Sequence, residues 1–207
     1  AQCLVGSEMC IRDSDMAAPV SASTATGLNG KDGLTVKEGA TTDKVLLAYN
    51  NGIDSLLSDE QARKAFRYQI DAAGIASAQP DAAGALGGPI SPLEPGYEDL
   101  TGLYPHDENQ AGQMFSYFGA QYLTTVNLVV PEEYRSLAET IKQQIERQPR
   151  PTVNLEVLSD EDYAKRIKDG KWELTVMSMD GTDDAGIFAD PDSMFHYDHT
   201  CLLYTSP

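Results

Sequence analysis

The sequence predicts an α/β fold, a mixed or parallel sheet with helices on both faces. Three observations carry that expectation. Strand and helix signatures alternate between residues 122 and 177, the helical segments carry apolar stripes at three- and four-residue steps, and 41% of the 207 residues are apolar, enough for a core. Strand, helix, strand, helix, strand in that order implies parallel neighbours joined by right-handed crossovers.

The elements follow in order. Residues 15–43 are rich in Ser, Thr, Ala and Gly and read as loop with one edge strand at Gly33-Leu34-Thr35-Val36. Lys44 to Asn50 is a compact apolar run closed by Asn51-Gly52, a strand followed by a turn. Ser58 and Gln61 have capping-box spacing, and Ala62, Ala65, Phe66, Ile70 and Ala73 form one helical stripe that must be buried. Proline and glycine from Gln79 to Tyr104 exclude a regular helix and predict a long extended crossing loop. A short helix begins at His106-Asp107, carries Ala111, Met114, Phe115 and Phe118 inward, and stops at Gly119.

Tyr122 to Val130 is the next strand, with Pro131 at the first helical position and Tyr134, Leu137, Ala138, Ile141 and Ile145 as the stripe of the following helix. Thr152 to Leu158 alternates Val153, Leu155 and Val157 as a strand. Ser159 caps a helix carrying Tyr163 and Ile167 inward, Gly170 ends it, and Trp172 to Met177 is the third strand of the series.

The two ends have a different origin. Glu8 to Ser14 (EMCIRDS) and Cys201 to Ser206 (CLLYTS) can be encoded by DNA strings that are reverse complements over their shared length. An insert flanked by one sequencing adapter in both orientations has this relation, and a folded protein has no cause to. Residues 1–14 and 201–207 are therefore expected to be translated adapter and are set apart from fold reasoning. That division leaves 15–43 as a loop and edge segment joining from a missing lobe, and 44–200 as a partial second-lobe domain. It also removes Cys3, Cys10 and Cys201, so no disulfide framework, thiol nucleophile or cysteine metal site is expected.

A net charge of -17, from 32 acidic against 15 basic residues, disfavours nucleic acid and anionic membrane surfaces as partners. No apolar run approaches the ~20 residues of a membrane-spanning helix. Amine-bearing ligands suit the sign of the charge. The sequence contains no Gly-x-Ser-x-Gly, phosphate loop or His-Glu-x-x-His; a hydrolase built on the Asp cluster with Glu94 or Glu98 is the remaining catalytic alternative, and no enzyme is expected. The acidic stretch through Asp192 lacks calcium-loop spacing, and His196 and His199 adjoin the adapter junction, so no metal or cofactor is expected.

Several segments in order then resemble one family. Leu57 to Ile75 (LSDEQARKAFRYQIDAAGI) is similar to a helix of the peptide/nickel solute-binding proteins, family 5, keeping Arg63, Ala65, Tyr68, Ile70, Asp71 and Ile75, with Gln69 where alanine is usual. Gly88 to Gly119 resembles the family's Gly-Pro-x-x-Pro loop and the Tyr-Pro-x-Asp start of its next helix. Leu137 to Arg147, Asp162 to Gly181 and the Asp190-Pro191-Asp192 turn follow in family order. Pro149-Arg150-Pro151 departs from the usual Gly-Ile turn, and the stretch after Met179 lacks the tryptophan of many relatives.

The resemblance implies a periplasmic-binding-protein-like lobe of type II, from the cluster of large peptide binders. It implies the substrate-binding component of an ABC importer, periplasmic or lipoprotein-anchored at the cell surface, that captures an oligopeptide or similar solute and delivers it to a membrane permease. Nickel chelates or oligosaccharides are the alternative ligands. Ligands of open α/β sheets collect beyond the carboxyl ends of the strands, and in peptide-binding relatives an aspartate of the loop after the last strand pairs with the ligand's α-ammonium. Asp180, Asp183 and Asp184, with Met179 beside them, are the expected ligand-binding residues.

Overall fold

The structure, a computed structural model, describes residues 20, 22–31, 34–37, 39–52, 54–79, 81–117, 119–179, 181, 186, 190–191 and 200–202. Its centre is β2 (Thr125–Pro131), flanked by β3 (Thr152–Leu158) and β4 (Leu174–Met179), both parallel to it. β1 (Lys44–Asn50) lies antiparallel to β4 with Lys44 opposite Met179, and β5 (Thr200–Leu202) pairs antiparallel with the far end of β1. The five strands form one mixed sheet in the order β3-β2-β4-β1-β5.

Handedness explains why both faces are covered. The path β2, α5 (Arg135–Ile145), β3 moves one position across the sheet; the path β3, α6 (Asp160–Lys168), β4 moves back past β2. Right-handed crossovers in opposite directions must leave opposite faces. Residue parity follows. Leu47, Tyr49, Leu128, Val130, Leu174 and Val176 face the larger core, beneath Phe66, Phe115, Ala138, Ile141 and Ile145. Leu46, Ala48, Val129, Met177 and Met179 face a smaller core with Trp172, covered by Tyr163 and Ile167 of α6.

The helix over Glu60–Gln69, α2, starts one residue later than the capping-box spacing predicts. Asp59 caps it, its carboxylate accepting from the Gln61 N–H at 2.8 Å. The Ser58 carbonyl is taken by Arg63, whose Nη1 also donates to the Leu57 carbonyl and Asn51 Oδ1, each at 2.8 Å. The apolar stripe also ends early. Ile70 turns extended at φ -91°, ψ 120°, Asp71 caps a new helix, α3 (Ala72–Ala78), and Ala73 is exposed rather than buried.

The loop from residue 79 to 104 contains no helix or strand among its described residues, as its proline and glycine content requires. It is tied to α2 by Arg67, which donates to the Gly87 carbonyl at 3.1 Å and lies over the Tyr104 ring. The helix over Glu108–Ser116, α4, is capped by Asp107, which accepts from Asn109 and Gln110 N–H groups, and buries Ala111, Met114 and Phe115. Phe118 lies outside the described residues. Gly119 adopts the left-handed φ of +92° expected of it, but the helix has already ended at Ser116, with Tyr117 as its C-cap.

Pro131 is the last residue of β2, not the first of a helix. A single 3-10 turn, Glu132–Tyr134, intervenes before α5. Ser159 caps α6 as expected, accepting from the Asp162 N–H at 3.3 Å, and Gly170 beyond its end has φ +67°. β4 begins at Leu174, so Trp172 precedes it. Residues 22–28, expected as loop, form a short helix, α1 (Ala22–Leu28); of the edge strand expected at 33–36, residues 34–36 are described and pair with no strand among the described residues. The Ser/Thr-rich composition of α1 gives it no apolar stripe by which to be recognised.

Candidate functional site at the carboxyl edge of the sheet

Parallel strands β2 and β4 are neighbours, with Leu128 level with Leu174 and Val129 with Thr175, yet the chain leaves β2 toward the helix on the larger-core face while β4 is reached from the helix on the other face. Such a point opens a crevice beyond the carboxyl ends of the strands, the common ligand position in open α/β sheets. The residues at this edge are the turn after Pro131 on one side and Ser178-Met179 on the other. Register extended by equal steps sets Ser178 level with Glu132.

The Tyr134 hydroxyl faces the Ser178 hydroxyl and the Glu133 carboxylate, and burial of its ring is the main cause that raises its pKa above the ordinary value. Ser178 and Glu133 are exposed. Glu132 is engaged elsewhere: Arg135 donates to both of its carboxylate oxygens at 2.7 Å, a surface pair that holds the Glu132 pKa low. Among the described residues no basic side chain pairs with Glu133. On the opposite face the Tyr163 hydroxyl meets Thr175 Oγ1 at 2.9 Å, again with a raised pKa caused chiefly by burial.

Of the residues singled out from sequence, Asp180, Asp183 and Asp184 lie outside the described residues, as do Asp192, His196 and His199. Met179 ends β4 with 6% of its surface exposed, packed with Leu46, Ala48, Trp172 and Met177. What it offers the edge is therefore backbone. Glu94, half of the hydrolase alternative, is buried in an ion pair with Lys44 and also accepts from the Ser91 N–H at 2.7 Å, so it is committed to structure; Glu98 is exposed. Glu133, Tyr134 and Ser178 were not singled out. The signal was available, because the carboxyl-end rule applies to β2 as well as to β4. An open polar depression of about 450 Å³ between α2 and α4, lined by Gln61, Asp107, Asn109, Gln110, Gln113 and Met114, involves none of the edge residues. Among the described residues no cluster of His, Cys, Asp and Glu could hold a metal ion, and no helix is long and apolar enough to cross a membrane.

Residues 12–199 match the family model described as bacterial extracellular solute-binding proteins, family 5, middle. The chain belongs to that family. Solved structures of similar fold include the Bacillus subtilis oligopeptide-binding protein AppA in complex with a nonapeptide (TM-score 0.63, 15% identity, 81% of this chain and 37% of that one). The Helicobacter pylori periplasmic binding protein DppA in complex with the peptide STSA superposes with TM-score 0.67 at 16% identity over 80% of this chain and 32% of that one. Staphylococcus aureus NikA in complex with Ni(L-His)2 gives 0.65 at 18% identity over 84% and 39%. No curated protein matches. This family 5 chain spans about a third of the length of these structures. The family and these neighbours are binding proteins rather than enzymes.

Proposed function

We propose that this family 5 chain is the second-lobe portion of the substrate-binding component of an ABC importer, which captures a peptide-like solute outside the cytoplasm and hands it to a membrane permease. The observation that carries the reading is the point where the neighbouring parallel strands β2 and β4 connect to helices on opposite faces, where ligands of open α/β sheets collect, in a chain whose family is one of extracellular solute-binding proteins. The turn after β2 and the end of β4 bring a carboxylate and two hydroxyls, Glu133, Tyr134 and Ser178, to this edge of an acidic chain. Such a set suits the ammonium and amide N–H groups of a peptide. Asp180, Asp183 and Asp184, leaving β4 at the same edge, would add the charge that pairs with an α-ammonium, with the Met179 backbone beside them. Periplasmic or lipoprotein-anchored placement belongs to the same reading.

The test is a thermal-shift and calorimetric comparison of the protein expressed from its complete reading frame, with di- and tripeptides against nickel-histidine and oligosaccharides. A ligand that binds only the native state raises the melting temperature. A rise with peptides alone supports the reading, a rise with nickel-histidine alone selects the chelate alternative, and no rise with any of them overturns it.

A further inference from the structure

We infer that the buried Lys44–Glu94 ion pair is a positioning pair for the ligand edge, acting through β1 on the carboxyl end of β4; this rests on the functional reading above. The argument starts from what holds Ser178 in place. The β2–β4 ladder ends at Val129 and Thr175. Beyond it, among the described residues, 176–179 pair with β1 alone, Leu47 through Lys44 in reverse order. β1 in turn is paired on its outer side only from Ala48 to Asn50, so among the described residues the segment Lys44–Leu47 has no second strand. Four residue pairs thus continue past the β2–β4 ladder as a two-stranded ribbon, whose pairing alone is of marginal stability and whose Leu46, Leu47, Val176, Met177 and Met179 are packed into the two cores.

The free end of that ribbon is anchored by side chains. The Lys44 ammonium, its side chain fully buried, pairs with Glu94, whose side chain is 3% exposed. The same Glu94 oxygen accepts the Ser91 N–H at 2.7 Å, so the pair also pins the Ser91-Pro92-Leu93-Glu94 turn over the strand start. Next to Lys44, Thr42 lies so close to Gly181 that a Cβ there would overlap its side chain. The incoming segment, the proline-rich loop and the exit from β4 therefore converge at one end of the sheet, with one ion pair at the junction. Losing one partner of a buried pair leaves an uncompensated charge, whereas replacing both by apolar side chains is often tolerated. That asymmetry separates positioning from charge.

The experiment uses the protein from its complete reading frame, with tri-alanine as probe, and compares Glu94→Gln with the double variant Lys44→Met/Glu94→Met. Amide hydrogen exchange is read at Val176–Met179 and, as reference, at Val126–Val129, below the unfolding transition of each variant. Glu94→Gln is expected to speed exchange at Val176–Met179 at least tenfold relative to the reference strand and to weaken tri-alanine binding by about tenfold. The double variant is expected to restore both to within about threefold of the parent. Exchange at Val176–Met179 unchanged by Glu94→Gln, or accelerated equally in β2, overturns the inference, as does selective acceleration with unchanged tri-alanine affinity. If the parent binds no peptide while Glu94→Gln still selectively loosens β4, the functional reading fails and the mechanical half of the inference stands.

Discussion

Gln69, expected from the resembled helix pattern to be a departure from alanine, sits in a polar network. It is fully buried, donates from Nε2 to the Gln144 carbonyl at 2.6 Å and accepts from Gln148 Nε2 at 2.9 Å. Gln148 also donates to the Glu108 carbonyl, and Gln144 Oε1 accepts the Asp71 N–H at 2.8 Å. Three amides thus join the ends of α2, α4 and α5. Gln69→Ala is expected to destabilise the protein by about 1 to 3 kcal/mol, because it removes two hydrogen bonds of a fully buried amide and leaves a cavity between α2 and α5, and urea unfolding checks it. Phe66, fully buried and 5.1 Å centroid to centroid from Phe115 in an edge contact, is expected to cost about 3 to 5 kcal/mol on change to alanine by the same measurement. At the ligand edge, Tyr134→Phe removes one hydroxyl and leaves the ring packed. Tri-alanine affinity should fall roughly three- to tenfold with little change in melting temperature; an equal affinity would take Tyr134 out of the site.

The four long strands and helices α2, α4, α5 and α6 were legible from sequence, with β1, β3 and the Ser159 cap at their observed bounds; α1, α3 and the starts of α2, α5 and β4 were not. The stripes of α2, α4 and α5 were readable because burial of one face repeats along the whole helix. Caps depend on single competing contacts: Arg63 draws the Ser58 carbonyl, and Asp59 takes the capping position. Asp59→Ala is accordingly expected to cost about 1 kcal/mol, while Ser58→Ala stays within about 0.5 kcal/mol, the pair being compared by thermal unfolding. Pro131 misled for a similar reason, since its fixed φ suits a strand end as well as a helix start. Tyr134 fitted the apolar stripe of α5, and a half-buried tyrosine satisfies both that stripe and a binding edge. The carboxyl-end rule applied to β2 points to this turn from sequence, and the structure adds that Ser178 lies beside Tyr134.

Sheet order was beyond the sequence, because alternating strands and helices define crossovers but do not say that β3 returns past β2 to β4, or that β1 closes antiparallel on β4. At the scale of the whole molecule, three tyrosines, Tyr122, Tyr134 and Tyr163, have pKa values raised chiefly by burial. Above the ordinary tyrosine value of about 10 the unfolded chain releases protons that the folded chain keeps. Their stabilising contribution is therefore present below that pH and lost as the pH rises through the raised folded-state values. Urea midpoints should fall between neutral pH and about pH 11, and Tyr163→Phe should make the fall shallower; an unchanged slope would remove Tyr163 from the effect. The antiparallel closure also orders events during synthesis. Of the four long strands β1 comes before the others, and its partner β4 is the last of the four to emerge, so β1 cannot form this pairing until β2, α5 and β3 have been made. Pairing across so much chain is slow to form, and an unpaired strand is prone to aggregate. Among the four long strands, β1 is thus the one whose pairing with β4 waits longest.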